Sequence, residues 1–225
     1  MKPVVFHAIL FKLILLHPCV HGETNPLLLF CLHAFTVGAQ DTGYLKVHFL
    51  YGSKPLPKYR KSEQRWFGGV LGGHVGIESD SNRIVNFLPS GKFHVLARRN
   101  KRHSRFAVHT AEDFYAILGG EPDSTRKLIV HIPVTRAQQH HFDSITAAYL
   151  SNTPYDYAFW GMRCGAAAYE LLARLELLQP YSQRKTFRKI FYPRRLRKRL
   201  LKAAAANSWT VVRQEGSHKR KWERD

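Results

Sequence analysis

The chain has 225 residues, a length that suits one domain better than two. With 44% hydrophobic and 12% aromatic residues it can bury a core, which excludes global disorder, and three cysteines exclude a disulfide framework. Thirty-five Lys and Arg against sixteen Asp and Glu give a formal charge of +19, so the expected partners are anionic: nucleic acid, acidic lipid or envelope polymer.

Two apolar runs open the chain, VVFHAILFKLILLHPCV, interrupted by Lys12, and PLLLFCLHAFTVGA over residues 26–39. Neither reaches the ~20 uninterrupted apolar residues of a spanning helix. The second has the length of a signal-peptide apolar region, and Val37, Gly38 and Ala39 make a small-residue cleavage site ahead of Gln40. Residues 1–39 are therefore read as an export signal, which places the protein in the periplasm or cell envelope. The alternative is a buried N-terminal helix. Pro18 and Phe30 precede Cys19 and Cys31, where a lipidation site needs a small residue. Cleavage leaves Cys164 without a cysteine partner, so it is either buried or reactive.

Residues 43–51 alternate and are rich in β-formers, predicting a strand. GGVLGGHVGIES (68–79) predicts a Gly-rich strand, Ser81–Asn82 a turn, and RIVNFLP (83–89) its hairpin partner. KFHVLA (92–97) and FAVHT (106–110) are further strands around the basic loop RRNKRHSR (98–105). Thr110 is placed to cap a short helix over 111–118, with Glu112 and Asp113 at its positive end. KLIVHIPV (127–134) is the clearest strand, and Thr135 then caps a helix running to about Leu150. After the aromatic loop SNTPYDYAFWG, the Ala- and Leu-rich segment 163–178 predicts the strongest helix, ended by Gln179–Pro180. Strands first and helices after predict an α+β domain over 40–183 with an antiparallel sheet. Residues 184–225 carry fifteen Lys and Arg against three acids. RRLRKRLLKAAAA (194–206) suits a basic amphipathic helix, and the closing HKRKWERD reads as disordered. That basic tail is expected to contribute little burial and to meet an anionic surface.

Three residues make a chemical constellation. Cys164 stands at a helix start, where the dipole and Arg163 favour a nucleophilic thiolate. His74 lies in a strand flanked by glycines, which let another element approach. Asn86, on the hairpin partner, is placed to hold one imidazole nitrogen and leave the other for the thiol. Glu78, four residues after His74, is the rival for that role, and His48, His94, His109 and His131 are equal rivals of His74 on composition. Tyr155, Tyr157 and Trp160 are candidates to line a substrate cleft with Arg163; as ordinary core aromatics they would need no function.

The order of these residues, with GHVGI and IVNFLP ahead of a distant Cys at a helix start, resembles the circularly permuted papain-fold proteins of the NlpC-type superfamily, the YiiX-like hydrolases and lecithin:retinol acyltransferase-like enzymes. The resemblance covers residues 43–178. It implies a permuted papain-like fold, with His74 as general base, Asn86 as the third polar residue and Cys164 as nucleophile of a hydrolase acting through an acyl-enzyme. Its substrate would be a peptide or lipid acyl group, with no cofactor. The acyltransferase branch commonly has a second histidine where this chain has Asn86, so the resemblance leans to the bacterial hydrolases. The long basic tail lies outside the family pattern.

No Cys or His pair has zinc spacing, and Gly68–Gly69 and Gly72–Gly73 lack the Lys and Ser/Thr of a phosphate loop. The tail, the 98–105 loop, Trp209 and Trp222 suit nucleic acid, but an export signal disfavours it. The competing reading is a non-catalytic basic protein that binds envelope polymer, lipid or nucleic acid.

Overall fold

The computed structural model describes residues 42–63, 72–80, 82–91, 94–98, 103–118 and 120–225. Residues 1–39, expected to be an export signal, with Cys19 and Cys31, and the glycines at 68 and 69 lie outside them.

The strands are β1 (Thr42–Leu50), β2 (Ser53–Pro55), β3 (His74–Asp80), β4 (Arg83–Pro89), β5 (His94–Leu96), β6 (Ser104–His109), β7 (Lys127–Thr135), β8 (Ala158–Trp160), β9 (Val211–Gln214) and β10 (Arg220–Trp222). The α-helices are α1 (Ala111–Ala116), α2 (Arg136–Ser151), α3 (Cys164–Arg174), α4 (Gln183–Lys189) and α5 (Pro193–Asn207). The main sheet runs β6-β4-β3-β1-β7-β9 with every neighbour antiparallel. The α+β class with an antiparallel sheet is thus observed. The expected strand at 68–79 is observed only from His74, and the helix expected over 163–178 ends at Arg174.

Period-two alternation sets the two faces. Leu45, Val47 and Phe49 of β1, with Leu128, Val130, Ile132 and Val134 of β7, point into the larger core with Phe142, Ile145 and Tyr149 of α2. Leu50 and Ile84 face the other way and meet Phe114 and Tyr115 of α1 in a smaller cluster. Both cap predictions are realised. The Thr110 hydroxyl accepts from the Asp113 amide, and Thr135 and Gln138 form a reciprocal capping box at α2. Helix α3 is buried over nine residues, because its run of alanines lets the backbone lie close to the sheet. No helix among the described residues is long and apolar enough to cross a membrane.

The basic tail is not an appendage, which corrects the expectation of little burial. Leu196, Leu200 and Ala204 recur at four-residue spacing along α5 and enter the main core together with Ile190. Strand β9 extends the main sheet beside β7, and β10 pairs with β2, so HKRKWERD contains a strand. Trp209 and Trp222 pack against the core, and the Trp222 indole donates to the Ser217 carbonyl at 2.8 Å. Neither is presented for base stacking. Arg197 is fully buried: its guanidinium lies 3.8 Å from the Tyr51 ring centroid, 2.9 Å from Asp225 and 3.4 Å from Glu223. A charge run that reads as solvated is here partly an internal ion pair.

Candidate active site

His74 opens β3 directly after Gly73, whose φ of +47° is a left-handed turn and whose missing Cβ would stand 2.7 Å from the Leu50 carbonyl oxygen. The turn into β3 at that point therefore needs glycine. In the β3–β4 ladder Gly76 stands opposite Asn86, which makes His74 and Asn86 diagonal neighbours on one face. The His74 Nε2 N–H donates to Asn86 Oδ1 at 3.0 Å. The Asn86 amide nitrogen donates in turn to His109 Nδ1 at 2.8 Å and to the carbonyls of Ile84 and Ala107, each at 3.3 Å. Every polar atom of Asn86 is thereby engaged, and its oxygen is fixed toward the imidazole. Phe114 covers the pair, with ring centroids 5.5 Å from His74. A Cβ at Gly76 would fall 2.8 Å from the Phe114 ring and 2.4 Å from Ile84, so a bare backbone there is what admits this cover.

With Nε2 held by Asn86, Nδ1 is the nitrogen left for the thiol of Cys164, and the two side chains lie close enough to shift each other's pKa. Cys164 is the first residue of α3, after an Arg163 cap that makes no side-chain bond. Burial alone pushes the thiol's pKa up, but the charge and hydrogen bond of His74, the Arg163 charge and the Tyr157 hydroxyl together bring it below the ordinary value. Burial pushes His74 down, and Cys164 and Asn86 together reverse that and raise it. Both directions favour a thiolate–imidazolium pair. The Tyr157 hydroxyl donates to Cys164 Sγ at 4.0 Å and accepts from the Cys164 backbone N–H.

The other expected site residues fall in different places. Glu78 does not orient His74: its carboxylate takes His48 Nε2 at 2.8 Å and Lys46 Nζ at 2.7 Å. Tyr155 is a core residue rather than part of a cleft, edge-on to Phe87 with ring centroids 5.1 Å apart. Trp160 is 54% exposed and joins Phe159 and Phe191 in an aromatic group. Arg163 lies over the Phe191 ring at 3.8 Å, and its buried Nη2 has no partner. Asp156, absent from the expected set, accepts from the backbone N–H groups of Arg98 and His103 at 2.9 and 2.7 Å. It ties the loop before Cys164 to the segment around β5. His109 and Phe114 were also missed as site residues. Sequence placed both on elements of the right type but gave no sign that β6 and α1 flank the His74–Asn86 pair.

Among the described residues no group of three or more His, Cys, Asp or Glu is arranged to hold a metal ion. Compared with family models, curated proteins and solved structures, the chain matches none of them.

Proposed function

We propose that this protein is a cysteine hydrolase of the permuted papain-like class, acting on an acyl amide or ester. The observation that carries the reading is the buried Cys164 thiol at a helix start, beside and electrostatically coupled to a histidine whose far nitrogen is held by Asn86. The His74 strand lying ahead of the Cys164 helix in the chain, with the strand inside an antiparallel sheet and the helix packed on it, supports the permuted arrangement. His74 takes the thiol proton, and the thiolate attacks the carbonyl carbon to give a tetrahedral oxyanion. The Cys164 N–H and the Tyr157 hydroxyl are the donors beside the sulfur that meet this oxyanion. Collapse expels the amine or alcohol, which leaves with the proton from His74. Water then gives a proton to His74, adds to the thioester and releases the carboxylic acid, and the proton returns to the thiol. Asn86 holds the imidazole in orientation without reacting.

The test is an activated acyl ester followed by mass spectrometry of the intact protein. One acyl group on Cys164, absent in Cys164→Ala and strongly slowed in His74→Ala, is expected. Cys164 is 4% exposed, so a small alkylating reagent serves as the companion probe. No adduct, together with alkylation near pH 6 no faster than for a free cysteine, would overturn the reading. Export is part of the same proposal, and N-terminal sequencing of secreted material beginning at Gln40 is its test.

A further inference from the structure

Five cations gather where α4 meets α5. Lys189 comes from the last turn of α4, and Arg194, Arg195, Lys198 and Arg199 come from the first two turns of α5. Spacings of one, four and five residues put these four on one side of α5. Together with Tyr192 and Glu223 they enclose a cavity of about 510 Å³. Three features set it apart from a solvated basic surface. First, α5 begins against the usual electrostatic preference: its first turn has no acid and two arginines, and Tyr192 gives no side-chain cap. The positive end of the helix dipole thus adds to five like charges at a helix end that normally takes acids. Second, Arg194 Nε is buried with no partner. Third, Glu223, 2% exposed and the one acid on the wall, has Oε1 buried and unpartnered. Burial raises its carboxyl above the ordinary value, against the pull of Arg197 and the Gly52 amide.

We infer that this cavity is a binding site for a small phosphate-rich anion, a diphosphate group either free or as the head of a lipid. Such a group satisfies the cations and the unpartnered Arg194 Nε at once, and it neutralises the clash at the start of α5. The volume exceeds what a single monovalent ion needs, and the number of cations calls for several charges on the ligand. The start of α5 packs on α3 where Gly165, the residue after Cys164, has its missing Cβ 3.0 Å from Pro193 Cα. The cavity owes nothing to Cys164 or His74, so binding here holds whether or not the hydrolase reading does.

The test uses the full chain and inorganic pyrophosphate in titration calorimetry at near-physiological ionic strength. Saturable one-to-one binding is expected, weakened about tenfold for each cation removed in Arg195→Gln/Lys198→Gln. Both residues are exposed, and a thermal melt no lower than the parent's shows that the fold survives. Lys189→Gln, from the other helix, is the second variant and should weaken binding by a similar factor. The control Arg184→Gln/Lys185→Gln removes two exposed charges that do not line the cavity and should leave the affinity unchanged. Displacement of pyrophosphate by anionic phospholipid vesicles supports a lipid headgroup as the ligand, and failure of vesicles to compete supports a soluble one. Equal loss in the control pair, or no saturable binding by the parent, would overturn the site.

Discussion

Two buried histidines stand on neighbouring strands of one sheet and do different work. His48 in β1 is closed on both sides: Nδ1 meets the Tyr115 hydroxyl at 2.7 Å and Nε2 donates to Glu78 at 2.8 Å. Burial lowers its pKa, which keeps it neutral, and the Glu78 carboxylate is brought down to about 2 by the His48 hydrogen bond, with Lys46 adding to it. His74 in β3 has a neutral amide on one nitrogen and a thiol on the other. Its pKa rises where that of His48 falls. Burial is common to the two; what differs is whether the second nitrogen ends in a saturated structural contact or at the Cys164 thiol. With both nitrogens taken by Tyr115 and Glu78, His48 has no site left for a third partner, whereas Asn86 takes only one nitrogen of His74.

The largest change removes the frame of both. Deleting 184–225 takes away β9, β10 and the core stripe of α5, and cooperative thermal unfolding should disappear. A retained transition would show that the two clusters stand without the tail. Next, His74→Ala should slow alkylation of Cys164 near pH 6 by roughly 100-fold, while His48→Ala leaves it within a few-fold. In the parent, the lowered thiol and raised imidazole predict a rate that levels off at a lower pH than for a free cysteine, measured by a mass-spectrometric time course. Equal slowing in both variants would erase the contrast.

Glu78→Gln should do the reverse, costing roughly 2 to 4 kcal/mol of stability with little effect on thiol reactivity. The sign with pH follows from the lowered carboxyl. Its contribution is complete above the ordinary value of 4.5 and is lost as pH falls toward 2. Denaturant midpoints at pH 7 and pH 3 should therefore converge in the variant relative to the parent. Asn86→Ala should slow alkylation about tenfold, because the imidazole loses its orientation and the Asn86 hydrogen bond that helps raise its pKa, while it keeps its place on β3. The smallest effect is expected from His109→Ala. It frees the Asn86 amide from behind and should slow the thiol only two- to three-fold on the same assay.

Local signals were enough for several elements. β7 was legible because Leu128, Val130, Ile132 and Val134 alternate, and α2 because Thr135 is placed to cap it. The hairpin that sets Asn86 near His74 was legible from the short turn between two apolar runs. The tail was misread because its basic residues outweigh Leu196, Leu200 and Ile190 in any local average. A stripe of one residue in four suffices to dock a helix when a sheet is waiting for it. Composition hid Arg197 for a related reason: its partners Glu223 and Asp225 are 26 and 28 residues away.

By itself the sequence determined the α+β class, the helix caps and the three residue types that nucleophilic chemistry needs, because each depends on spacing within a few turns of chain. Tertiary structure decided which histidine meets the thiol, why Asn86 rather than Glu78 holds it, and that the basic tail closes the sheet. Those outcomes turn on the order of strands and on contacts between residues far apart in the chain. Alternation tells a side chain which face of a strand it is on, but only the neighbouring strand tells it what it will touch.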